Sequence, residues 1–183
     1  MSIIAKEGEK KEFYSVPAGT QQAVCYDVWD IGFQDGEYKG EKKVQHKVVI
    51  GFEVNVLIPA GEFAGKRMTI NKFYTLSLHE KSNLRKELEG WRAKKFTEEE
   101  LEGFDVEKLI GVNCMLNVVH SDKGKAQVNG ISKLMGGLMP LKPENDRSFP
   151  QWIKDFQAKQ VPNPYAESDE DIVTDRLGEE VPF

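Results

Sequence analysis

The sequence predicts a mainly β domain of five strands with a helical insertion after the third and an acidic tail at the C-terminus. Three observations predict it. Val44, His46, Val48, Ile50, Phe52, Val54 and Val56 recur with a strict period of two, the signature of a strand with one covered face. Leu84, Leu88 and Trp91 then recur at spacings of four and three, which only a helix brings to one face. After Pro162 the apolar periodicity ends and acidic residues dominate.

The first strand runs from Gln21 to Phe33, with Ala23, Cys25, Trp29, Ile31 and Phe33 on one parity and Val24, Tyr26 and Val28 on the other. That parity places Trp29 and Phe33 in the core, with base stacking at the strand's far end as the alternative for Phe33. A charged loop from Gln34 to Lys43, carrying two glycines, precedes the period-two second strand, where His46 reads as a satisfied residue of the covered face. Pro59 to Gly65 breaks the chain before a third strand, Lys66 to Ser77. The helix spans Lys81 to Trp91 with Ser82 as N-cap, and Thr97 followed by Glu100 marks a capping box for a second short helix. Asn113 to His120 and Lys125 to Lys133 close the series as strands four and five, joined by the turn Ser121-Asp122-Lys123-Gly124.

The order β-β-β-α-β-β is that of an OB-fold, a five-stranded barrel whose strand 2 and 3 face and 1-2 and 4-5 loops form the usual nucleic-acid surface. The chain divides into an N-terminal arm (1–17), an OB-fold domain (18–134), an irregular arm packing on the barrel (135–161) and a flexible acidic tail (162–183). Within the irregular arm, Trp152 to Phe156 predicts a short docked helix.

At 183 residues and 39% hydrophobic content, the chain supports one core. No stretch is apolar enough to span a bilayer and no signal-peptide core is visible, so a cytoplasmic protein without a membrane partner is expected. Cys25 and Cys114 sit in apolar segments without ligand-spaced partners and read as reduced core thiols. Neither a metal nor a cofactor is expected. No P-loop, G-x-S-x-G or H-E-x-x-H spacing occurs, and His46, His79 and His120 are scattered, so the chain is not expected to be an enzyme. Glu98, Glu99, Glu100 and Glu102 read as a solvated helix start rather than as metal ligands.

The net charge of −5 is unevenly spread. Residues 167–183 hold seven acidic residues against Arg176, a net of −6, which leaves residues 1–166 at +1. Residues 66–95 carry nine Lys/Arg against three Glu. A basic zone tethered to an acidic tail suits a polyanion-binding protein whose tail competes for the same surface.

Single-strand binding needs aromatic faces for bases and cations for phosphates. Tyr38 beside Lys39, Lys42 and Lys43 supplies both in the 1-2 loop, and Arg67, Lys72 and Phe73 supply them on strand three. His120, Lys123 and Lys125 surround the 4-5 turn and are expected to clamp the strand from the other side. The segment from Asn71 to Arg92, with Gly65-Lys66-Arg67 before it, resembles a stretch recurrent in bacteriophage replication-associated OB proteins. That resemblance implies a single-stranded-DNA-binding protein of phage replication, recombination or repair, acting in the host cytoplasm.

The last five residues, Glu179-Glu180-Val181-Pro182-Phe183, pair acidic groups with an apolar-Pro-Phe end. They resemble the tip of bacterial single-stranded-DNA-binding proteins, where an acidic stretch ends in Ile-Pro-Phe. The resemblance implies that the tail recruits replication or recombination proteins, with Phe183 filling an apolar slot. Two functions thus remain: a sequence-independent single-stranded-DNA binder, or an OB-fold interaction or assembly module without DNA binding. A homo-oligomer is compatible with either.

Overall fold

The computed structural model describes residues 13–166. The tail tip, Glu179 to Phe183, and the first twelve residues lie outside them. Five strands form one antiparallel sheet in the order β3-β2-β1-β4-β5: β1 (Gly19–Tyr38), β2 (Glu41–Leu57), β3 (Arg67–Thr75), β4 (Asn113–His120) and β5 (Ala126–Lys133). Pairing runs from one edge strand to the other without closing into a ring, as β3 and β5 are not hydrogen-bonded to each other. One core nevertheless fills the inside of the curved sheet. It gathers Cys25 and Val28 from β1, Val48, Ile50, Phe52 and Val54 from β2, Ile70 and Tyr74 from β3, Leu116 from β4 and Ile131 from β5.

Helix α1 (Asn83–Arg92) closes that core with Leu84, Leu88 and Trp91. Its N-cap is Ser82, whose Oγ accepts from the Arg85 amide, as the sequence predicts. At Gly90 an added Cβ would lie 2.9 Å from the Ile131 carbonyl oxygen, so only glycine lets the helix lie this close to β5. Helix α2 (Glu98–Glu102) starts on the expected capping box of Thr97 and Glu100. A 3-10 turn follows at Val106–Leu109, and α3 (Gln151–Ala158) lies in the arm.

Two expectations for β1 change. Strand pairing does not stop at Phe33 but continues to Tyr38, opposite Glu41, and the expected loop is a ribbon closed by Lys39 and Gly40 at φ 52° and 81°. Two consecutive positive φ angles match the right-handed twist of a hairpin, which lets the strands pair to the tip. The second change concerns parity. Irregularities between Cys25 and Asp27 and between Asp30 and Gly32 each insert a residue. Trp29 and Ile31 therefore leave the face of Ala23 and Cys25 and enter a second cluster with Val49 and Ile153 on the outer side.

That outer cluster is made by the arm. Asp27 and Glu53 are 2% and 0% exposed and point into the arm. Glu53 accepts from the Glu144 amide at 2.9 Å, the Asn145 amide at 2.7 Å and Asn145 Nδ2 at 2.8 Å. Asp27 Oδ2 accepts from the Ser148 amide at 3.0 Å, and Oδ1 faces Arg147 Nε at 3.2 Å. Trp29 Nε1 donates to the Ser148 carbonyl at 2.6 Å, and Asn113 exchanges two bonds with the Leu141 backbone. A buried carboxylate is tolerated only when donors surround it, and here the arm supplies them. The arm thus completes the sheet's outer face.

Candidate nucleic-acid interface

A groove of ≈ 990 Å³ opens where β2 begins, β3 ends and α1 starts. Phe33, Tyr38, Phe73 and Tyr165 bring aromatic rings to it, and Lys43, Lys47, Lys72 and Lys81 bring cations. Tyr38 is 57% exposed at the hairpin tip, with Lys39 Nζ and Lys43 Nζ 5.4 and 5.8 Å from its ring centroid. The paired ribbon holds that cluster more firmly than a loop would. Deeper in the groove, Phe33 stacks on His46 with centroids 4.8 Å apart and planes at 28°. His46 Nε2 also contacts Asp30 Oδ1 at 2.7 Å, so the ring is half-buried and held in place.

Lys47 Nζ donates to Thr75 Oγ1 at 2.9 Å, and burial lowers its pKa. An ammonium in that state gains from an arriving anion, because a nearby negative charge offsets its lost hydration. Among the described residues, Lys43, Lys47 and Lys81 belong to no ion pair, whereas Lys72 is held by Glu87 of α1. Glu87 also accepts from Tyr74, whose phenol is pushed up by burial and then by that carboxylate. The start of α1, at Ser82 and Asn83, faces the groove with no acidic residue in its first turn. Its amide dipoles add a favourable field for phosphate.

The structure sorts the remaining expected residues. Phe73 is 46% exposed, but its ring also packs on Trp152 and Phe156 at 6.2 and 5.3 Å, so it belongs equally to the arm. Arg67 is spent internally: Nη1 donates to the Lys142 carbonyl at 2.7 Å and reaches Glu53 at 3.4 Å, while Nη2 faces Glu144 at 3.3 Å. Lys42 is exposed and lies opposite Glu37 across the ribbon. The 4-5 turn sits away from this groove. His120 Nε2 bonds the Val16 carbonyl at 2.8 Å, beside the first residues of β1, and Lys123 and Lys125 are exposed there.

His46, Lys47, His79, Lys81 and Tyr165 are groove residues that the sequence does not assign to binding, and Phe33, read first as core with stacking as the alternative, joins them there. Among the described residues no group of three His, Cys, Asp or Glu is placed to hold a metal ion, and no helix is long and apolar enough to cross a membrane. Burial pushes the Cys25 thiol up to about 12 and raises that of Cys114 as well. Both are poor nucleophiles in this state. The chain matches no protein-family model and no curated protein sequence.

Proposed function

We propose that this chain is a sequence-independent single-stranded-DNA-binding protein built on an OB-fold barrel. The strand order β3-β2-β1-β4-β5 with α1 between β3 and β4 supports the fold reading, as does the approach of β3 to β5 on the far side of the core. One observation carries the function: the groove combines stacking-ready rings at Phe33, Tyr38 and Tyr165 with cations unpaired among the described residues at Lys43, Lys47 and Lys81. Bases of any identity present a π-face, and phosphates of any sequence present charge, so such a groove grips a strand without reading it.

The phage role in replication, recombination or repair, and recruitment of partner enzymes through Glu179 to Phe183, follow from the sequence resemblances and belong to this proposal. The test is titration of poly-dT against duplex DNA at two salt concentrations. A binder of this kind prefers the single strand and loses affinity steeply with salt. Equal or absent binding of both would leave the interaction-module reading, which the arm's cover over the outer face at Val49 and Glu53 favours.

A further inference from the structure

The opposite end of α1 carries a second cavity, of ≈ 480 Å³. Trp91, Phe104, Leu109, Val112 and Leu134 give it an apolar lining, and Arg92, Lys108 and Lys133 give it cations. Arg92 lies over the Phe96 and Phe104 rings at 4.5 and 5.7 Å, and its Nη2 bonds Glu100. Its Nη1 is enclosed and has no hydrogen-bond partner among the described residues. Lys108 and Lys133 are exposed at the rim. Val112 of the lining is 41% exposed, and the segment between the lining residues Leu134 and Pro140 exposes Met135, Leu138 and Met139 at 57%, 39% and 85%.

Since Arg92 already pairs with Glu100, an occupant that satisfies this site needs large apolar groups for the lining and carboxylates for the two rim cations, Lys108 and Lys133. We infer that the cavity takes the chain's own segment Glu179-Glu180-Val181-Pro182-Phe183, with Val181 and Phe183 on the apolar lining and Glu179 and Glu180 toward Lys108 and Lys133. The reach is ample. Ser82 and Asn83 line the groove together with Tyr165, while Trp91 and Arg92 line this cavity, so the two sites are separated by the length of α1, about 15 Å at ~1.5 Å per residue. The chain from Ala166 to Phe183 spans up to roughly 60 Å when extended. Pro182 favours the extended backbone that such a bridge requires. Docked in this way, the acidic residues between Glu167 and Asp175 are drawn along α1. The inference stands whether or not the groove binds DNA.

The test uses the full chain with a benzophenone photocrosslinker in place of Phe183 and mass-spectrometric mapping of the adduct. Adducts on the segments around Trp91, Leu109 and Leu134, within the monomer band, support the assignment. Reversing the two rim charges, Lys108→Glu with Lys133→Glu, lowers that yield by roughly tenfold, because both changes repel the acidic segment. An unchanged thermal melt shows that this variant is folded. Adducts confined to the groove, adducts only between two copies, no adduct on the cavity, or a yield indifferent to the charge reversal each overturn the inference.

Discussion

Replacing Lys43, Lys47 and Lys81 together with glutamine is the sharpest probe of the groove, because the three ammonium groups have no ion-pair partner among the described residues and converge on one cavity. Each phosphate contact on a single strand contributes about −0.7 to the slope of log K against log salt. Three lost contacts therefore flatten the slope by about 2. Between ~50 and ~200 mM salt this amounts to roughly a twentyfold smaller loss of affinity than in the unaltered protein. Fluorescence anisotropy of a labelled oligo-dT across a salt series reads the slope directly, and a circular dichroism melt verifies folding. Lys72→Gln is the internal control: its ammonium is engaged by Glu87, so its slope changes by much less than one contact. A triple variant with an unaltered slope, or a Lys72→Gln slope as flat as that of the triple variant, refutes the reasoning.

Alanine at Tyr38 or Phe33 weakens oligo-dT binding by about 1 to 3 kcal/mol for each ring that stacks a base, measured at fixed salt; full affinity in both folded variants counts against the groove. Glu53→Ala strips the Asn145 and Glu144 amides and Arg67 of their shared acceptor and costs about 3 to 5 kcal/mol in urea unfolding, with an unchanged midpoint as the contrary outcome. The Glu100 carboxyl is held down to about 2, first by the Arg92 guanidinium and then by the Thr97 amide. Its folded pKa lies below the ordinary value of 4.5, so its contribution is complete above that pH and is lost as pH falls toward about 2. The melting temperature of Glu100→Gln should then change less with pH than that of the unaltered protein across that acid window, and an equal pH dependence would count against the shift. Deleting residues 167–183, net −6, tightens oligo-dT binding most at low salt, since a tethered polyanion competes best unscreened; no change at any salt would sink that competition.

The parts of the fold that follow a local period were legible in the sequence. β2 read correctly because its alternation holds from Val44 to Val54 and the irregularity against β3 falls only at its end, after Glu53, and α1 read correctly because Ser82, Leu84, Leu88 and Trp91 mark both its start and its buried side. β1 misled because one irregularity shifts its parity and a second restores it, and the local traces are Asp27, whose Oδ1 accepts from the Val28 amide, and Gly32 at φ 72°, whose amide donates to Asp30 Oδ1. With the parity restored, Phe33 returns to the face of Cys25 but lies beyond the end of the core, where it meets His46 in the groove, a pairing made by register and not by proximity in sequence. Arg67 looked free because its partners, Glu53 and Glu144, lie 14 and 77 positions away. Asp27 and Glu53, each an acid inside an apolar run, were the visible hint that something else had to cover the outer face.

How the arm is gripped has a consequence for sequence drift. Glu53 and Asp27 hold the amides of Glu144, Asn145 and Ser148, so most of the recognition is directed at the main chain. The side chain at 148 is then open to exchange for any residue that keeps its N–H, with proline the exception, whereas Glu144 also faces Arg67 at 3.3 Å. Length is another matter. The two carboxylates sit at a fixed spacing across neighbouring strands, and one residue inserted or removed between Asn145 and Ser148 would put the amides out of step with both. Homologous arms should therefore hold their residue count more strictly than their composition at positions such as 148, where only the main chain is gripped.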